Sequence, residues 1–411
     1  MFLYAARQPL LDCEQNLVAY EVLFRNGNFF EEGDAATAAS KLVAASQFEK
    51  ALPDLTAGKP AHVKFSYQSL LRQYPTMIPA DQLVIEITDA STPDEHLLKE
   101  CKALKEAGYN ILISGHDLQD WSDFFPYIAM IKLDFSQSSE DDLLKVKDAK
   151  ATFNHLKLVG ANIGTKAQFR FAKTAGFDYF QGQFFSRYEP LESVSEDTND
   201  YSLAELLFEV SNLVLDLQEF TDKVQMDESL KSHILCYSNS SNFHRQSKNT
   251  TIEQALARIG KEELIKAVSI IFTAQISAQS AGSKSPELLT ISLMRAKFAE
   301  ELAIAYSNNV TNNIDSSTAF LTGMFSLIDV MLDQPLSSVV EKLKLTEEVS
   351  SALLQNQGEL ASLIEITKYY EKADWLTVEL ICIELDLTRK DVAQSYKKAV
   401  LWCNEQIRLV S

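Results

Sequence analysis

The sequence predicts an α/β barrel followed by an all-helical domain. Three observations carry this. Short apolar runs alternate with amphipathic helical stretches over residues 1–190, the rhythm of parallel strands covered by helices. No glycine-rich phosphate turn follows any of these runs, which favours a compact (β/α) barrel over a doubly wound sheet. After residue 201 the strand rhythm stops and helical patterns follow one another.

Taken in order, the expected strands are Leu3–Arg7, Leu17–Arg25, His62–Ser66, Leu83–Thr88, Asn110–Ser114, Met130–Leu133, Lys157–Ala161 and Tyr179–Gln181. Each is a short apolar or alternating run bounded by turn residues. Helical periodicity lies between several of them, at Asp94–Ala107, Glu140–Asn154 and Lys166–Ala175. The acidic stretch 191–201 reads as a linker between a domain of residues 1–190 and one of residues 202–411. Helices are expected there at Ser202–Asp216, Glu219–Gln225, Glu228–Tyr237, Ile252–Ile259, Lys261–Gln275, Glu287–Tyr306 and Ser316–Leu332, then as shorter pieces. Polar breaks fall at Ser238–Thr251 and Ser277–Ser285.

Composition excludes several classes. At 411 residues the chain is long enough for two cores, and its 46% apolar and 23% charged residues are those of a soluble globular protein. No apolar run approaches a membrane span, and MFLYAARQPLL has no basic segment before its apolar residues, so no signal peptide and a cytoplasmic location are expected. A net charge of −19 opposes binding to nucleic-acid backbones. The lysine cluster Lys145, Lys147, Lys150 and Lys157 sits beside Glu140, Asp141, Asp142 and Asp148, which cancel it. Five cysteines occur with no C-x-x-C pair, which argues against a zinc site or a disulfide framework. No histidine follows His244, so the chain beyond it has no histidine-based metal or acid–base site.

In a barrel of parallel strands the C-terminal strand ends form the active site. The strand at Asn110–Ser114 delivers Ser114, Gly115 and His116 to that place: a hydroxyl, no side chain and an imidazole, where a metal site would need carboxylates.

Several motifs in the first half resemble the EAL family of cyclic di-GMP phosphodiesterases. They are QPL (Gln8–Leu10), EVLFR (Glu21–Arg25), KFSY (Lys64–Tyr67), IEIT (Ile85–Thr88), IKLD (Ile131–Asp134) and AGFDYFQGQFFS (Ala175–Ser186). SNSSNF (Ser238–Phe243), ALARIG (Ala255–Gly260), LTGMFSLIDVML (Leu321–Leu332) and YYEKADW (Tyr369–Trp375) resemble the HDOD domain. The whole chain is similar to the EAL–HDOD tandem signalling proteins (YuxH-like), which implies a TIM-like EAL barrel followed by a helical HDOD domain with a C-terminal extension.

The resemblance implies a two-cation displacement at a phosphodiester, and roles for the matching positions. Glu21 stands at the signature glutamate, Glu86 at a strand carboxylate, Arg25 at a phosphate contact, Lys132 at a catalytic-site lysine and Gln181 at a supporting glutamine. Lys64 replaces an asparagine ligand, Ser114 and Gly115 replace paired aspartates, Ala161 and Gly164 replace two glutamates, and Asp89 shortens another. The reading that follows is a degenerate barrel with no metal, no cofactor and no catalysis, in which Lys64 serves as counter-charge to Glu21 and Glu86. It acts through other signalling proteins, with homodimerisation allowed and cyclic di-GMP not expected as a ligand. The alternative is a metal-free cyclic di-GMP sensor using Arg25, Lys64, Lys132 and Gln181; a residual phosphodiesterase is the third.

Overall fold

A computed structural model describes residues 5–25, 48–88, 91–115, 119–188, 217–226, 228–239, 251–279, 285–309, 314–343 and 345–410. The chain forms two compact units. The first comprises Met1–Arg187, Lys368–Leu380 and Val392–Asn404; the second comprises Tyr188–Thr367, Ile381–Asp391 and Glu405–Ser411. The expected linker lies outside the described residues. The expected helical domain of residues 202–411 had included the two C-terminal segments that cluster with the barrel.

The first unit is a closed barrel of eight strands in sequence order. They are β1 (Ala5–Leu11), β2 (Leu17–Phe24), β3 (Ala61–Phe65), β4 (Leu83–Thr88), β5 (Asn110–Ser114), β6 (Met130–Asp134), β7 (Lys157–Ala161) and β8 (Tyr179–Phe180). All eight expected strands are present, with β1 displaced toward the C-terminus. One expectation is corrected: β1 runs antiparallel to both β2 and β8, while the remaining pairs are parallel. Three of the outer helices are α1 (Glu95–Glu106), α2 (Glu140–Thr152) and α3 (Lys166–Thr174). Each starts at a side-chain cap, from Asp94, Ser139 and Thr165 respectively.

Strand periodicity places the site. Leu10, Ala19, Val84, Leu112 and Val159 form one buried cluster, with Met130 and Tyr179 packed against it. In a strand, residues two apart share a face. Going two residues on along β2, β4, β5, β6, β7 and β8 gives Glu21, Glu86, Ser114, Lys132, Ala161 and Gln181. On the reversed β1 the step from Leu10 leads back to Gln8. An apolar layer therefore plugs the barrel, and a largely polar layer lies on its C-terminal side. The alternate residues of the strands, such as Val63, Ile85, Ile111, Ile113, Ile131 and Leu158, are all buried.

The second unit is helical in its described residues: α4 (Leu217–Met226), α5 (Glu228–Ser238), α6 (Ile252–Gln279), α7 (Pro286–Asn309), α8 (Ser316–Phe325), α9 (Ile328–Leu332), α10 (Leu336–Leu343) and α11 (Glu347–Gln355). Helices α12 (Glu359–Glu371), α13 (Trp375–Glu384) and α14 (Arg389–Val410) complete the chain. The expected helix Ser202–Asp216 lies outside the described residues. The two helices expected at Ile252–Ile259 and Lys261–Gln275 are joined at Gly260, whose φ of 73° and ψ of 173° are not helical. The single helix expected at Ser316–Leu332 is two helices, because Ser326 and Leu327 leave the ladder.

Helix α7 is buried over most of its surface, including charged groups. Glu300 accepts from Lys266 at 2.9 Å and from Lys297 at 2.7 Å; Lys266 also meets Glu263 at 3.0 Å, and Lys297 meets Glu301 at 2.8 Å. Removing one member of a buried ion network leaves its partners uncompensated. Glu300→Leu should therefore destabilise by about 3 kcal/mol in a urea melt of the full chain, and an unchanged midpoint would contradict this.

Candidate functional site

The polar layer opens into a cavity of about 350 Å³ at the barrel mouth. Its wall includes Glu21, Lys64, Glu86, Ser114, Gly115, Lys132, Ala161 and Gln181, so the structure brings together eight of the ten described residues that the sequence marked. Gly164 and Arg25 are not on the wall. Arg25 instead pairs with Glu379 of α13. Asp89 and His116 lie outside the described residues.

Lys132 is the hub. Its Nζ donates to Glu21 Oε2 at 2.7 Å and to the two Glu86 oxygens at 3.2 and 3.3 Å. Gln181 Nε2 donates to Glu21 Oε2 at 2.6 Å. Lys64 Nζ stands 3.1 Å from Glu21 Oε1 and 3.8 Å from Glu86 Oε1. Lys64 thus faces both carboxylates, but the closer cation is Lys132.

The electrostatics follow from burial. Enclosure alone would raise the carboxyl of Glu21, but Lys132 and Lys64, with hydrogen bonds from Lys132 and Gln181, hold it far below the carboxylate range. Glu86 is fully enclosed, and burial pushes its pKa up against the opposing pull of Lys132. Burial would lower Lys132, but Glu21 and Glu86 outweigh it and raise it. His62, two residues before Lys64, is pushed down to about 4 by burial and by Lys132, so it is neutral at physiological pH.

The donor set does not fit the pair of divalent cations that the resemblance implies. Two ammonium groups occupy the space between the carboxylates, and Glu21 Oε2 already accepts from both Lys132 and Gln181. A hard cation needs about six oxygens. Asp134 also lines the cavity, but its carboxylate accepts from Ser136 and Asn162.

Sequence reasoning missed Gln8, Asp134 and Lys372 as wall residues. Gln8 stands opposite Glu21 in the β1–β2 register, a position evident only once β1 is antiparallel. The lysine cluster on and after α2 is neutralised in part as expected, by Asp142, and in part by Asp178. Lys150 and Lys157 meet Asp178 at 2.6 and 3.2 Å, and Lys145 approaches Asp142 at 4.0 Å.

Lys64→Met removes the outer counter-charge. The lysine side chain is 31% exposed, so water screens part of the effect, and a loss of about 1 kcal/mol is expected. A thermal melt with no change would place Lys64 outside the network.

A strand-end polar site on an eight-stranded barrel, followed by a helical domain, defines the class. Residues 201–352 match the HDOD domain family. The protein YuxH of Bacillus subtilis is 30% identical over 98% of this chain and 98% of its own length; this chain belongs to the EAL–HDOD tandem family. The cyclic di-GMP phosphodiesterase CdgJ of Vibrio cholerae is 29% identical over 99% of this chain and 94% of its own. Among solved structures, the phosphodiesterase PaMucR in complex with cyclic di-GMP aligns with 46% of this chain and 96% of its own, at 18% identity and a TM-score of 0.35. One expectation is corrected here. A protein without enzymatic activity was expected from the missing ligands, and a full-length relative that carries the name of a phosphodiesterase overturns it. No described helix is long and apolar enough to cross a membrane.

Proposed function

We propose that this chain works in cyclic di-GMP signalling and that the cyclic dinucleotide is taken at the barrel mouth. The observation that carries this is the polar layer of strand-end residues opening into a cavity of about 350 Å³. The name of the Vibrio cholerae relative supports the ligand and favours its turnover; it replaces the expectation that cyclic di-GMP is not a ligand. Within the site, Gln181 and Lys132 hold Glu21 ionised and fixed in orientation, and with both amide hydrogens of Gln181 donated to Glu21 and Gln8 its Oε1 is the atom offered to a donor on a base edge.

The helical extension that follows the HDOD match is proposed to meet other signalling proteins. Exposed apolar side chains on α13 support a protein contact, since Leu376 and Leu380, one turn apart, are 70% and 55% exposed.

The test is a titration of the full chain with fluorescent cyclic di-GMP, with and without Mg²⁺ or Mn²⁺, with chromatography of the nucleotide afterwards. Saturable binding lost in Gln181→Ala supports the reading, and release of linear dinucleotide adds turnover to it. An absence of binding in every condition contradicts it.

A further inference from the structure

The cavity wall is not made by the barrel alone. Lys372 and Ala373, in the turn between α12 and α13, line it as well. We propose that Lys372 is a phosphate-contacting residue of the barrel-mouth site, held in place by Gln8; this rests on the reading of that site as a cyclic dinucleotide site.

Local geometry fixes the turn. Ala373 adopts a left-handed φ of 55°. Its N–H donates to the Tyr370 carbonyl at 3.0 Å, and the Asp374 N–H donates to the Tyr369 carbonyl at 3.0 Å. This pair of bonds is a Schellman closure with Lys372 at the C-cap. Asp374 then caps α13, accepting from the Thr377 N–H at 3.2 Å and from its hydroxyl at 2.8 Å. The base of the turn is tied to β1. Tyr370 Oη donates to the Ala5 carbonyl at 3.2 Å, and the Tyr370 ring lies 4.5 Å from that of Tyr396, whose hydroxyl accepts from the Arg7 N–H at 3.1 Å.

A hydrogen-bonded chain then joins the turn to the buried carboxylates. Gln8 Nε2 donates to the Glu371 carbonyl at 2.9 Å. Gln8 Oε1 accepts from Gln181 Nε2 at 3.1 Å, and the same nitrogen donates to Glu21. One side chain therefore registers the turn against the floor of the site.

Charge assigns the role. Lys64 and Lys132 are committed to Glu21 and Glu86, and Arg25 to Glu379. Lys372 is exposed, lies over the Tyr369 ring at 5.5 Å, and makes no ion pair among the described residues. It is the lysine of this wall whose charge is left for a ligand. A flexible ammonium at the rim suits a phosphate oxygen as a point charge.

The experiment titrates the full chain, as wild type, Lys372→Gln, Lys372→Arg and Gln8→Ala, with fluorescent cyclic di-GMP and separately with inorganic pyrophosphate, at low and high salt. Lys372→Gln should weaken cyclic di-GMP binding by about tenfold and flatten its salt dependence. Lys372→Arg should retain most of the affinity, and Gln8→Ala should fall between. If wild type binds cyclic di-GMP and Lys372→Gln binds equally well, the inference is overturned and the site reading stands. If wild type binds pyrophosphate alone and Lys372→Gln loses it, the phosphate contact stands and the dinucleotide reading fails. A wild-type chain that binds neither overturns both.

Discussion

Lys132→Met lowers the melting temperature of the barrel by on the order of 10 °C near neutral pH, and by much less in acid. The substitution keeps the apolar stem and deletes the charge that touches Glu21 at 2.7 Å and Glu86 at 3.2 Å. Breaking a buried pair in this way costs about 3–5 kcal/mol. In the wild type, the lowered pKa of Glu21 contributes stability that is present above the unfolded carboxylate value and is lost as pH falls through the folded one. The raised pKa of Lys132 contributes stability that is present below the unfolded lysine value and is lost as pH rises through the folded one. Glu86, with its pKa raised, has the opposite sign to Glu21: its ionisation costs stability and its protonation relieves that cost. Without Lys132 the burial that raises Glu86 loses its largest opposition at both carboxylates, so the variant recovers toward wild type as pH falls toward the unfolded carboxylate range. Melts at a series of pH values check this, and a deficit independent of pH would mean that Lys132 acts by packing alone.

Gly182→Ala should cost at least about 3 kcal/mol and reduce soluble yield. The glycine has a φ of 145°, and a Cβ there would stand 2.2 Å from the Ile163 carbonyl oxygen and 2.4 Å from its nitrogen. Both are backbone atoms fixed by bonds on either side. Ile163 N–H donates to the Gln181 carbonyl at 3.0 Å, and Phe184 N–H donates to the Ile163 carbonyl at 3.1 Å. Relieving the collision therefore moves Gln181, the residue that holds Glu21. Gly176→Ala is the control, because it also has positive φ, of 90°, but meets nothing within 4 Å. Denaturant melts of the two should differ by more than about 1 kcal/mol; equal losses would mean that backbone strain, not collision, sets the requirement.

Much of the barrel was legible because period-two alternation and β-branched runs mark buried strands directly. Val84–Ile85–Glu86 and Ile131–Lys132 carry a polar residue into an apolar run, and that residue can only point to a polar interior layer. The direction of β1 is not written in its own side chains. The length of its connection does carry it, since five residues separate Leu11 from Leu17, too few for the crossover that parallel strands require. Pro9 inside β1 obscured how far the strand extends. In the last barrel motif Phe180, Phe184 and Phe185 are buried, with Phe184 stacked on Phe169 at 4.5 Å.

The site was half legible. Positions on strands follow from periodicity, so Glu21, Glu86, Lys132 and Gln181 could be placed together before any coordinates. Which cation sits between the carboxylates could not, because Lys64 and Lys132 have the same reach and differ only in depth. Lys372 stood out as part of the YYEKADW stretch but carried no signal of a place at the barrel mouth. It lies far along the chain in a turn, and nothing in a helical pattern says which surface its end will meet.

The most direct measurement is amide hydrogen exchange of the full chain with and without cyclic di-GMP. The account predicts protection at the ends of β2, β4, β6 and β8 and at the turn around Lys372, with the apolar layer below unchanged. Protection confined to the second unit, or none at the barrel mouth at saturating nucleotide, would contradict it.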